Sequence, residues 1–177
     1  MKPFFFLLSG LFLLCGCKGD RGVQTFNILD EGPVFRVTLQ ATVKNDDRFS
    51  VYYTTDGSTN FSKNAPIWTK VNGSANSQRI TFSLPENLIP SQLRIDLGHN
   101  AKQGPIHLEK VRLSYKTKAI EFPGTLIFSY FRPDVKKTKI DATNGWVTGI
   151  VTDGKRQAPS LYPKEAPLRD EIDRLTQ

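Results

Sequence analysis

The side chains of this sequence that are best placed to do chemistry point to binding. Tyr52 lies in Phe49-Ser50-Val51-Tyr52-Tyr53-Thr54, and Trp68 follows Pro66 by two residues. Partly exposed rings offer flat π surfaces on which the C–H faces of a pyranose pack, given a few convergent polar groups. Tyr52 falls on the polar phase of its segment, opposite Val51 and Tyr53, and is expected to point away from the core. Trp68 is either a second stacking surface or a cap on one end of the core. Trp146, after Asn144-Gly145, is expected in the core. Arg94 and Asp96 flank Ile95, so they share the outward side of one strand. They could recognise a polar ligand, or make a surface ion pair worth under about 1 kcal/mol. Asn100 and Gln103, in the Gly98-to-Gly104 loop, carry amides suited to sugar hydroxyls, and equally suited to forming turns.

Catalysis has far less support. The only histidines are His99 and His107, one in a loop and one on a strand. No His-x-x-x-His, Gly-x-Ser-x-Gly or glycine-rich phosphate loop occurs in the chain. Apart from Asp96 the acids cluster in turns, so a paired-carboxylate hydrolase has little to build on. Asp46, Asp47 and Asp56 are loop carboxylates of a kind that hold calcium in some sandwiches, but their spacing resembles no calcium loop. The chain is read as non-catalytic, without cofactor or metal.

Strands must position these groups, because alternation with period two dominates. Phe35, Val37, Leu39, Ala41 and Val43 share one side of a strand, and Arg36, Thr38, Gln40 and Thr42 share the other. Further strands are expected over 49–54, 68–71, 78–84, 93–97, 106–115, 126–131 and 146–151, with turn residues between them. In 106–115 the apolar phase flips between Leu108 and Val111, which predicts a bulge at Glu109-Lys110. About eight short strands and no crossover helix indicate an all-β antiparallel sandwich. A short C-terminal helix is expected from Pro167 at its first position and from Leu168, Ile172 and Leu175. Arg169 and Asp173 are spaced to pair on its exposed side.

The N-terminus is an export signal: Lys2, an apolar run from Phe4 to Leu14, then Leu14-Cys15-Gly16-Cys17. The run is too short to cross a bilayer, which takes roughly 20 apolar residues. Its last four residues resemble the bacterial lipobox. That resemblance implies cleavage after Gly16 and a diacylglycerol and N-acyl anchor on Cys17, held by several acyl chains. It places the protein in the bacterial cell envelope. Lys18, where some enteric bacteria use aspartate to retain lipoproteins in the inner membrane, points to the outer membrane. Residues 17–25 are then the lipidated cysteine and a polar, flexible tether.

The middle of the chain carries a second resemblance. Phe49-Ser-Val-Tyr-Tyr-Thr, Gln78-Arg-Ile-Thr-Phe-Ser-Leu-Pro, Leu93-Arg-Ile-Asp-Leu-Gly and Ile106-His-Leu-Glu-Lys-Val-Arg-Leu look like a jelly-roll β-sandwich. They are similar to the galactose-binding-like and carbohydrate-binding-module-like domains of bacterial envelope proteins. The jelly-roll is expected over 26–118, with residues 119–177 supplying additional strands and the helix packed on it.

Composition limits the partners. Cys17 is the only cysteine beyond the leader, so no intrachain disulfide is available. The formal charge of +7 is spread without a run of five like charges. For an exported protein it suggests anionic lipid or polysaccharide neighbours rather than nucleic acid, or simply a solvated surface. The expected product is a membrane-anchored glycan-binding sandwich, with Tyr52 and Trp68 stacking and Arg94, Asp96 and Asn100 as polar contacts. The competing reading is a structural or assembly lipoprotein that presents the same sandwich to an envelope protein.

Overall fold

The computed structural model describes residues 23–177. The leader over 1–16 and the acylation of Cys17 lie outside the described residues. Seven strands come first: β1 (Thr25–Asn27), β2 (Arg36–Thr42), β3 (Asp47–Thr54), β4 (Ile67–Val71), β5 (Gln78–Ser83), β6 (Gln92–Asp96) and β7 (Ile106–Tyr115). After them come β8 (Lys118–Pro123), the one-turn helix α1 (Ile127–Tyr130), β9 (Phe131–Pro133), β10 (Thr138–Asp141) and β11 (Trp146–Gly149). The chain closes with β12 (Val151–Thr152), β13 (Lys155–Arg156), β14 (Ser160–Pro163) and helix α2 (Glu165–Thr176).

These strands form an antiparallel β-sandwich. In the large, seven-stranded sheet β2 lies between β5 and β7. The other side of β7 is shared: β8, followed by β1, pairs with Lys110 to Tyr115, while β11, followed by β10, pairs at Ile106 and His107. The small sheet has five strands in the order β4-β3-β6-β14-β9, and β12 with β13 makes a separate ribbon. The inward phases meet in one core. Val37, Leu39, Phe82, Leu108, Val111, Leu113 and Phe122 of the large sheet face Phe49, Val51, Leu93, Ile95 and Leu161 of the small one. Burying each such side chain contributes roughly 1.5–3 kcal/mol, and with no disulfide in the sandwich this packing holds the layers together.

The β7 irregularity falls where the phase flip predicts it. Gln40 pairs with Lys110 and Ala41 with Leu108, so Glu109 has no partner on β2. The extra residue lets Leu108 and Val111 both turn inward, and both are fully buried.

Several expectations are corrected. The strand expected over Leu126 to Phe131 is a 3-10 turn at Gly124–Leu126 followed by α1, and only Phe131 begins a strand. Gly124 at φ +50° turns the chain after Pro123, and Ile127 and Phe128 enter the core from a helical turn. Trp146 is not core: on β11 Val147 faces inward, which sends Trp146 out, half-buried against His107 at 4.8 Å between ring centroids. The tether ends earlier than expected, since Val23 is buried and Thr25 already pairs with Ile120. Ser160 to Pro163, for which the residues predict no strand, pairs between β6 and β9. Residues 119–177 are thus woven into both sheets rather than layered on one.

Helix α2 forms where the spacing of Leu168, Ile172 and Leu175 requires it, and all three are buried. It begins at Glu165, so Pro167 occupies its third position, still within the turn where a missing N–H costs nothing. Arg169 does not pair with Asp173; it reaches the Gly57 carbonyl at 3.3 Å, and Arg174 pairs with Glu171 instead.

Candidate functional site

Four of the five expected ligand-contact residues lie on the outer face of the small sheet. Strand register sets the pattern. Ser50 of β3 opposes Trp68 on one side and Asp96 on the other, and Asp96 in turn opposes Ser160 of β14. One pleat along, Tyr52 opposes Arg94, and Tyr162 opposes Arg132. Tyr52 is therefore the diagonal neighbour of Trp68 on one face, a separation that long aromatic side chains can bridge.

The second row is a stack of alternating rings and cations. The Arg94 guanidinium lies 4.5 Å from the Tyr52 centroid and 4.9 Å from that of Tyr162, and Arg132 lies 5.4 Å from the other tyrosine's ring, Tyr162. Each contact of this kind is worth about 0.5–1 kcal/mol when exposed and more when water is excluded. Arg94 also holds Asp96 with a fork: Nε donates to Oδ1 at 2.8 Å and Nη2 to Oδ2 at 2.5 Å. Burial works against the Arg94 charge, yet the hydrogen bonds and negative charge of Asp96 outweigh it, so its pKa lies above the ordinary arginine value. Arg94 and Asp96 do form an ion pair, and it is a largely buried one, with Asp96 only 4% exposed.

The first row is closed at its centre and open at its end. Ser50, Asp96 and Ser160 are all buried, and the Ser50 hydroxyl has no hydrogen-bond partner. Trp68 is 41% exposed. It is not a cap on the core, because it sits on the outward phase of a regular strand at the sheet edge. Arg48 approaches its ring at 5.1 Å and the His99 ring at 5.9 Å.

His99 belongs to the loop that carries Asn100, and one carboxylate organises that loop. Asp47 is buried at the end of β3, and its Oδ1 accepts backbone N–H groups from Arg48, His99 and Asn100 at 2.8, 2.9 and 3.1 Å. Gly98 is required there: its φ is +81°, and a Cβ would meet Asp47 Oδ2 at 2.2 Å. Asn100 uses both ends of its amide inside the loop. Nδ2 donates to the Asp46 carbonyl at 2.8 Å and Oδ1 accepts from the Lys102 amide at 2.9 Å. Arg156 of the ribbon closes the loop from the other side through the carbonyls of Gly98 and Asn100. Burial pulls its pKa below the ordinary value, with Asp47 opposing.

The structure thus brings Tyr52, Trp68, Arg94 and Asp96 together, and sets Asn100 in the frame of the loop whose His99 ring lies 5.9 Å from Trp68. Asp46 and Asp56 are engaged by protein donors in the same way as Asp47. Among the described residues no cluster of three His, Cys, Asp or Glu side chains is placed to hold a metal ion.

Sequence reasoning missed Tyr162, Arg132 and Arg48. The first two sit on β14 and β9, which were not foreseen. The alternation Leu161, Tyr162, Pro163 was the available signal, hidden by prolines at 159 and 163. What the face offers is a strip of rings and guanidinium groups, with one exposed indole and one buried, already paired carboxylate. Compared with known proteins, the chain matches no family model, no curated protein and no solved structure.

Proposed function

We propose that the protein is a non-catalytic, glycan-binding β-sandwich, lipid-anchored in the bacterial cell envelope through acyl chains on Cys17. The resemblance of Leu14-Cys15-Gly16-Cys17 to a lipobox supports the anchor, and Lys18 favours the outer membrane. One observation carries the glycan reading: Trp68 and Tyr52 lie diagonally adjacent on one sheet face, beside the Arg94–Asp96 fork. Such a strip presents π surface to the C–H face of a sugar and fixed polar groups to its hydroxyls. In this reading Tyr52 and Trp68 are the stacking surfaces and Arg94 with Asp96 the adjacent polar pair. Asn100 anchors the loop that borders Trp68.

The test is affinity electrophoresis of the full chain in detergent, through gels containing envelope polysaccharides. The wild type is expected to be retarded and Trp68→Ala to run freely, with an unchanged thermal midpoint. Equal retardation of both removes the stacking role. Retention of an envelope protein by this face with no retardation in any gel replaces the glycan reading by the assembly one. Mass spectrometry of the mature N-terminus is expected to find an acylated Cys17, and an unmodified terminus would remove the anchor.

A further inference from the structure

The outer face of the large sheet carries charge of a different kind. Thr38, at the centre of β2, opposes Thr81 on β5 and Arg112 on β7. One pleat along, Gln40 lies between Arg79 and Lys110. Two adjoining depressions of about 250 and 60 Å³ share Thr38, Arg79 and Arg112 in their walls. The backbones of β5 and β7 stand two strand spacings apart, about 10 Å. Arginine side chains from both can therefore reach towards one group lying over β2.

The charges in this groove do not balance. Lys110 is taken by Glu121 at 2.7 Å. Arg36 is held by the Glu31 carbonyl at 2.8 Å and by its carboxylate at 3.4 Å. That carboxylate accepts from Ser114 at 2.8 Å and reaches Arg112 only at 3.7 Å. Glu109, at the far end, is occupied by the hydroxyls of Ser77 and Thr42. Arg79 has no hydrogen bond or ion pair with any described residue. Among the described residues Arg112 thus has a single distant counter-charge and the Phe26 ring at 5.8 Å, and the Arg79 side chain has neither.

We propose that this groove binds the acidic group of a sugar, a carboxylate or phosphate, between the guanidinium groups of Arg79 and Arg112. Planar guanidinium forks match the oxygens of such groups in pairs, which a lysine-rich patch would not do. The hydroxyls of Thr38 and Thr81, 3.1 Å apart in the floor, are placed for the ring hydroxyls beside the charge. This site lies on the opposite face from Trp68 and Tyr52, and it stands or falls independently of the stacking strip.

The experiment is calorimetric titration of the full chain in detergent with four probes: a galacturonate oligomer, a hexose phosphate, inorganic phosphate and a neutral oligosaccharide. Either acidic sugar is expected to bind at 50 mM NaCl, and to bind about tenfold or more weakly at 500 mM. Which of the two binds identifies the acid as carboxylate or phosphate. Arg79→Gln, and separately Arg112→Gln, are expected to weaken that binding about tenfold or more. Arg79 is exposed and unpartnered, so its variant is expected to keep the wild-type thermal midpoint. The proposal is overturned if neither acidic sugar binds, if salt or both substitutions leave the affinity unchanged, or if the two substitutions weaken binding of the neutral oligosaccharide as much as that of the acidic one. Inorganic phosphate binding as tightly as the hexose phosphate would overturn the sugar assignment.

Discussion

On the outer face of the small sheet three arginines have company: Arg94 lies between two tyrosine rings and grips Asp96, Arg132 lies on Tyr162, and Arg48 on Trp68. On the outer face of the large sheet Arg79 stands alone, and Arg112 has its nearest carboxylate at 3.7 Å. Both faces come from the polar phases of amphipathic strands, so alternation alone makes them equivalent. What separates them is how closely rings and carboxylates approach the arginines, since Phe26 on the large sheet comes only within 5.8 Å of Arg112. Rings and a buried carboxylate let the small sheet satisfy its own charges, and that face becomes part of the packed structure. Threonine, serine and glutamine around Arg79 and Arg112 on the large sheet cannot do so, and the charge of those two side chains remains available to solutes. A cation is therefore free to recognise an anion only to the extent that the fold has not already matched it, whereas what the small-sheet face keeps open is the indole of Trp68.

The largest expected effect tests this division directly. Arg94→Ala leaves the nearly buried Asp96 without its counter-charge and opens a gap between Tyr52 and Tyr162, at a cost of roughly 3 kcal/mol in urea unfolding. A loss below about 1 kcal/mol would mean that the small-sheet face is no better integrated than an ordinary surface. Next comes Gly98→Ala, in the loop beside Trp68. Its left-handed backbone and the crowding against Asp47 predict a loss of about 2 kcal/mol, seen as a lowered thermal midpoint. An unchanged midpoint would show that the Asp47 hub does not frame that loop. Smallest is Arg79→Ala on the opposite face, expected within about 0.5 kcal/mol of the wild type. If Arg79→Ala were as costly as Arg94→Ala, the contrast between the faces would collapse.

Much of this frame was legible in the residues. The alternation of Val37, Leu39 and Ala41 with Arg36, Thr38 and Gln40 assigned the faces of β2, and the phase flip after Leu108 placed the bulge. Tyr52 could be turned outward for the same reason. The segment from Leu126 to Phe131 could not be read, because a short apolar run buries equally well as a strand or as a helical turn. There the deciding fact is a turn at Gly124 and the space beneath α2, both matters of tertiary structure. For Trp146 the position after Asn144-Gly145 does not fix the side it takes; pairing of Val147 with Ile106 settles it. Of the candidate site, the four residues on the small sheet were legible as an outward set, but the partnership of Arg94 with Tyr162 was not. It joins residues 68 positions apart, through a strand that local pattern did not reveal. The arginine groove was hidden for a similar reason, since Arg79 and Arg112 become neighbours only when β2 lies between β5 and β7.

The place of β14 has a consequence for how such a chain is assembled. Its four residues, Ser160 to Pro163, separate β6 from β9, although β6 is complete by Asp96. A chain that folds from its N-terminal end therefore leaves one edge of β6 unpaired until a segment more than sixty residues further on arrives. Until that late strand is inserted, the raw edge can join any other extended segment, including the same edge of a second molecule. Escape from self-association in this sandwich is decided in the interval before its final strand arrives.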